Sequence, residues 1–80
     1  MKLEVVIKLK PEVLDAAGRQ VQAALNRLGF SGIRDCRVGR VVELDLEEED
    51  WEKAREAAEQ MARTLLANLV IEDFEIRRAQ

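Results

Sequence analysis

Ile33-Arg34-Asp35-Cys36-Arg37-Val38-Gly39-Arg40-Val41-Val42-Glu43-Leu44-Asp45-Leu46 is the stretch whose folding decides the architecture. It alternates throughout. Cys36, Val38, Val42, Leu44 and Leu46 share one face, with Arg40 intruding. Arg37, Gly39, Val41, Glu43 and Asp45 share the other. A period of two is the pattern of a half-buried strand. The run is far longer than the usual strand of about 5–6 residues. Two readings compete: a hairpin with Gly39 as the first central residue of a type II′ turn, or one long strand bent at Gly39. The hairpin would set Glu43 and Asp45 on the face of Cys36 and Val38, so the unbroken alternation favours the long strand.

Upstream, Leu3, Val5, Ile7 and Leu9 alternate with Lys2, Glu4, Lys8 and Lys10, Val6 being the exception. That is a strand over 2–10, and Pro11 stops it because it cannot donate to a ladder. Asp15 is an N-cap for a helix over about 15–28, in which Val21, Ala24, Leu25 and Leu28 recur at helical spacing. Gly29 closes it as a left-handed C′ residue. Gly18, inside the first turn, costs about 1 kcal/mol against alanine, which points to a close contact there.

Downstream, Glu47-Glu48-Glu49-Asp50 leads into a second helix reaching about Leu66, with Asp50 as N-cap. Its apolar stripe is Trp51, Ala54, Ala58, Met61, Ala62 and Leu65. Three of these are alanine, which permits a close approach to a sheet. Asn68 suits a left-handed C′ position. Residues 69–77 form the last strand, with Val70, Phe74 and Ile76 on a face that also carries Glu72. The predicted fold is α+β: a two-layer sandwich, strand-helix-long strand (or hairpin)-helix-strand, with a mainly antiparallel sheet and both helices on one face. The other face carries Val6, Val41 and Leu69 or Ile71 among charges, a candidate interface.

Composition narrows the chemistry. Eighty residues predict one domain over 1–80, and 48% apolar with 36% charged residues is globular. There is no histidine and no tyrosine, and Cys36 is the single cysteine. Cys–His and Ser–His nucleophile pairs, a disulfide framework and a zinc site are therefore excluded within this chain. Net charge −3, with two Phe and one Trp, argues against nucleic acid. No apolar run reaches the roughly 18 residues of a membrane span. Lysines and Glu4 interrupt the apolar residues near Met1, which is not a signal-peptide pattern. The expectation is a cytoplasmic chain without membrane contact. A core this small, without disulfide or metal, also favours oligomerisation.

Cys36 reads as a small buried hydrophobe. The acidic run 47–50 reads as a solvated helix start, since it lacks the alternating ligands and glycine of a calcium loop. Arg37-Val38-Gly39-Arg40, preceded by Arg34, is more suggestive. Guanidinium forks suit carboxylate or phosphate, and a glycine lets backbone approach closely. Asn68 with Glu72 and Asp73 forms a second cluster.

Three stretches carry a family resemblance: Leu9-Lys10-Pro11-Glu12-Val13-Leu14-Asp15-Ala16-Ala17-Gly18, Cys36-Arg37-Val38-Gly39-Arg40-Val41-Val42-Glu43-Leu44 and Leu65-Leu66-Ala67-Asn68-Leu69-Val70-Ile71-Glu72-Asp73-Phe74. In order and spacing the chain resembles the PurS family, the small subunits of phosphoribosylformylglycinamidine synthase. Ala16-Ala17 stands where that family usually has Pro-Gln, and Arg40 where it has Lys. The resemblance implies a non-catalytic subunit of purine biosynthesis, a homodimer or dimer of dimers. It would bridge a large synthetase subunit and a glutaminase subunit so that ammonia reaches formylglycinamide ribonucleotide. No cofactor is implied for this chain; ATP and magnesium are expected in the synthetase subunit. The partner-interface candidates are Asp15, Gly18, Arg37, Gly39, Arg40, Asn68, Glu72 and Asp73. Two other readings stay open: a small-ligand-binding regulatory module, and an acylphosphatase-like enzyme using Arg37 and Asn68 on a phosphate.

Overall fold

The computed structural model describes residues 1–79. In chain order it has β1 (Lys2–Leu9), α1 (Ala16–Arg27), β2 (Arg40–Asp45), α2 (Trp51–Met61), a wider π turn over Ala62–Leu66, and β3 (Glu72–Arg78). The fold class is α+β, with the predicted order of elements.

The sheet runs β2-β1-β3, and β1 is antiparallel to both neighbours. β2 and β3 are therefore parallel to each other across β1. Strands so related need a long crossover connection, here a helix. That crossover is α2, and it has to pass over β1. Leu3, Val5 and Ile7 of β1 are fully buried against Ala54, Ala58 and Ala62. The alanine stripe is the contact surface that brings the helix down onto the central strand. Val42, Leu44, Phe74 and Ile76 complete the core from the flanking strands.

α1 answers to a different constraint. β1 and β2 are antiparallel neighbours, so the end of β1 and the start of β2 lie at the same end of the sheet. A connection between them need not cross the sheet. Residues 10–39 make an excursion from that end, and no residue of α1 belongs to the described core. The layer over the sheet is thus built by α2, not by both helices. The molecule is long and thin as a result, 46 × 28 × 15 Å. Its radius of gyration is 15.6 Å, where a compact chain of this length has about 12 Å.

The ends of α1 follow the sequence reading. The Asp15 carboxylate accepts the Gly18 N–H at 2.8 Å. Gly29 sits at φ 96°. Phe30 N–H reaches Leu25 O at 3.0 Å and Gly29 N–H reaches Asn26 O at 3.1 Å, the paired bonds of a Schellman close.

Three local expectations are corrected. The alternation over 33–46 becomes strand only from Arg40, because residues 33–39 find no neighbour to ladder with. It is not a hairpin either: the positive-φ glycines among the described residues are Gly29 and Gly32, whereas a type II′ turn needs one at Gly39. The last strand starts at Glu72, not 69. Leu69, Val70 and Ile71 form a turn closed by Ile71 and Glu72 N–H bonds to Asn68 O, at 3.1 and 2.7 Å. Asn68 is not left-handed, since no described non-glycine residue has positive φ.

Candidate functional site

The eight candidate residues gather at one end of the sheet, where β1 finishes and β2 and β3 begin. Seven of them form two clasps, Asp73 lies on the opposite face of the sheet, and their partners lie within the chain.

The first clasp ties α1 to residues 33–39. Asp15 is 4% exposed. Besides capping the helix, its second carboxylate oxygen accepts the Val38 N–H at 2.7 Å. These two backbone hydrogen bonds, to Gly18 first and Val38 next, hold its pKa below the ordinary carboxylate range, with the Arg37 charge adding to them. Arg37 Nε lies 3.9 Å from Asp15. Its Nη2 donates to the carbonyls of Leu9, Lys10 and Val13 at 3.4, 3.0 and 3.3 Å. A guanidinium spends its donors here on the backbone between β1 and α1. Gly18 packs directly on this segment: a Cβ at 18 would overlap the Cys36 carbonyl oxygen. The close contact inferred from a glycine in a first helical turn is this one.

The second clasp joins both flanking strands across β1. Arg40 pairs opposite Ile7, and Glu72 opposite Leu9, so both project on the core face. Arg40 Nη1 donates to Glu72 Oε2, and Nη2 donates to Glu72 Oε1 at 3.0 Å. Nη2 also donates to Leu66 O at 2.6 Å, at the end of the π turn. Glu72 further accepts the Asn68 N–H at 2.7 Å. The Arg40 hydrogen bonds first, then that of Asn68, lower the Glu72 pKa, and Glu72 in turn raises that of Arg40. Gly39 lets β2 enter beside β1: a Cβ there would stand 2.5 Å from Ile7 O. Asp73 points to the other face and pairs with Lys10 at 3.3 Å. An open hollow of about 460 Å³ lies between the clasps, with Asp15, Val38, Gly39, Arg40 and Glu72 around it.

This distribution bears on the enzyme reading. Arg37 and Asn68 do not converge: Arg37 serves the β1–α1 connection, while Asn68 Oδ1 accepts the Val70 N–H at 3.1 Å. An open groove of about 570 Å³ between α2 and β3 has its cations paired, Lys10 with Asp73, and Arg55 and Arg63 with Glu59. No cluster of three metal-ligating side chains occurs among the described residues, and no described helix is long and apolar enough to cross a membrane.

Two features escaped the sequence reading. The Arg40–Glu72 pair was visible as two separate charge exceptions on apolar faces, of opposite sign; matching them would have found it. The other is the outward face of α1. Of the stripe Val21, Ala24, Leu25 and Leu28, Val21 and Leu28 are 42 and 74% exposed while Ala24 and Leu25 are half-buried, and Leu14 and Phe30, just outside the helix, are exposed beside it. The stripe's apolar spacing reads as core, and topology alone says otherwise.

A small open sheet with polar residues engaged internally and an uncovered apolar helix face defines an assembly module. Residues 2–80 match the family model of PurS, phosphoribosylformylglycinamidine (FGAM) synthase. The PurS subunit of Methanocaldococcus jannaschii is 43% identical over 95% of this chain and 92% of its own, and its crystal structure superposes with a TM-score of 0.86. That of Bacillus subtilis is 38% identical, over 91% of this chain and 86% of its own. A chain in the structure of PurLQS from Thermotoga maritima is 27% identical with a TM-score of 0.89, covering 98% of this chain and 95% of that one. The chain belongs to the PurS family. It is a PurS subunit of FGAM synthase and serves purine biosynthesis.

Proposed function

We propose that the chain is one PurS-like domain over 1–80 that acts, as a homodimer or dimer of dimers, as a non-catalytic bridge in the cytoplasm. It joins a synthetase subunit to a glutaminase subunit so that ammonia from glutamine reaches formylglycinamide ribonucleotide. Nucleotide and magnesium belong to the synthetase subunit on this reading; the complex depends on ATP.

The observation that carries the proposal is the α1 excursion. An amphipathic helix that leaves its own sheet uncovered by it, with Leu28 and Phe30 in solvent, needs a partner surface. A second copy fits that need. Over β2 the core-facing side chains Val42 and Leu44 are only half-buried, and the helix layer beside α2 has room for another chain's helix. The relative in PurLQS supports association with the two larger subunits. A scaffold adds no catalytic group; it raises effective concentration and aligns two sites.

The test is product formation with glutamine and with ammonium chloride, each with and without this chain, alongside co-purification with both subunits. Omission is expected to abolish the glutamine-supported reaction and spare the ammonium-supported one. Equal loss of both would mean that the chain shapes the synthetase site. Loss of neither would remove the bridging role.

A further inference from the structure

We infer that Asp15 and Arg37 are positioning residues: they fix the direction in which α1 leaves the sheet, and through α1 they govern assembly. This rests on the bridging reading above.

Most helices of small domains are held by apolar contact, which is non-directional. α1 has no share in the core. At its root, the contacts that tie it to residues 9–13 and 33–38 beside the sheet include hydrogen bonds, which are directional. The Asp15 carboxylate spans from the helix start, at Gly18 N–H, to the Val38 N–H. Arg37 then binds that segment back to the Leu9, Lys10 and Val13 carbonyls. The Gly18 contact with the Cys36 carbonyl closes the gap between them, and Gln22 Nε2 donates to Ile33 O at 2.8 Å one turn further along. The helix root is thus defined from three sides, while its tip, at Leu28, is exposed.

Lever geometry gives the root its leverage. A helix of 12 residues is about 18 Å long at about 1.5 Å per residue. A rotation of roughly 10° at the root moves its tip by about 3 Å over that length. Interface cores pack as densely as protein interiors, so a displacement of that size removes complementarity.

Asp15→Asn is the discriminating variant. Asparagine remains a good N-cap, so the helix keeps its start. It has a single side-chain oxygen, so Gly18 and Val38 can no longer each have their own acceptor. Arg37→Ala removes the other half, and Gly18→Ala wedges α1 off the segment without changing any charge. The direct readout is the distance distribution between spin labels at Arg27→Cys and Glu75→Cys in a Cys36→Ser background, with excess unlabelled chain. It needs no partner subunit. The second readout is capture of both partner subunits and glutamine-supported turnover.

The expected result is a narrow distance in the wild type, a broadened or shifted one in all three variants, and capture weakened at least about tenfold, with far-UV circular dichroism and cooperative unfolding retained. Unchanged label distances with unchanged capture would overturn the proposal. So would altered distances with wild-type capture, which would leave α1 direction irrelevant to assembly. Unfolding of Asp15→Asn and Arg37→Ala alike would also overturn it, because the pair would then hold the core. If the wild-type chain failed to capture the subunits, the bridging reading would fail, and so would the link from α1 to assembly; the label distances would still report whether the pair aims the helix.

Discussion

Glu72 is a buried carboxylate whose folded-state pKa lies below its ordinary value, because Arg40 and the Asn68 N–H prefer the ionised form. Its contribution to stability is therefore complete above the ordinary carboxylate pKa of about 4.3 and is lost as pH falls through the lower folded value. The thermal midpoint should be flat near neutrality and drop below about pH 4. Glu72→Gln should lower the midpoint at pH 7 and flatten part of that acid drop; an acid profile identical to wild type would mean that other carboxylates dominate. Gly39→Ala tests the neighbouring position. Its Cβ would meet Ile7 O at 2.5 Å and Lys8 Cγ at 3.0 Å. Backbone cannot yield as a side-chain tip can, so urea unfolding should register a loss of about 1–3 kcal/mol. Both residues were singled out from sequence as interface candidates. What the sequence withheld was the partner: Arg40 and Glu72 are far apart along the chain and meet only because each flanks β1.

At the level of elements, the end of α2 supplies the sharpest test. Ala67 N–H bonds to Ala62 O at 2.9 Å, five residues back, so the last turn is wider than an α turn. That extra width moves the apolar stripe by one position. Leu66 packs on the core and Leu65 is 83% exposed, the reverse of what a constant helical period predicts. Leu66→Ala should cost about 1–2 kcal/mol of stability, as for a half-buried leucine, and Leu65→Ala should stay within about ±0.5 kcal/mol; equal effects would contradict the register. Ala58→Leu should cost about 1–3 kcal/mol by overpacking against β1. The elements that were legible are those fixed by local signals: the β1 alternation, the Asp15 and Asp50 caps, the Gly29 close and the alanine stripe. Residues 33–39 were misjudged because alternation describes a surface, while a strand exists only beside another strand. Residues 69–71 were misjudged because the Asn68 backbone and side chain turn the chain there, and no periodicity encodes that. The α1 spacing predicts an apolar stripe, and half of it, Ala24 and Leu25, is half-buried while Val21 and Leu28 are exposed, since only the connection from β1 to β2 shows that the helix need not cross the sheet.

The whole molecule is too extended for its length, and that shape makes a prediction of its own. Light scattering at micromolar concentration should give a multiple of the 9.1 kDa chain mass. Leu28→Glu, at an exposed position on α1, should reduce that mass while leaving far-UV circular dichroism unchanged. A wild-type mass of one chain would leave the α1 face without its covering copy. The strand order β2-β1-β3 has a consequence in time as well as in space. β1 is made before both of its neighbours, yet it lies in the middle, and the strand that completes its second edge is the last of the three. At about 5–20 residues per second, β1 waits on the order of seconds for β3 to leave the ribosome. During that wait Leu3, Val5 and Ile7 belong to a strand with an unpaired edge, the kind of surface that recruits other chains. Lys8 in the strand and Lys10 just beyond its end are the charges that blunt such pairing until β3 arrives.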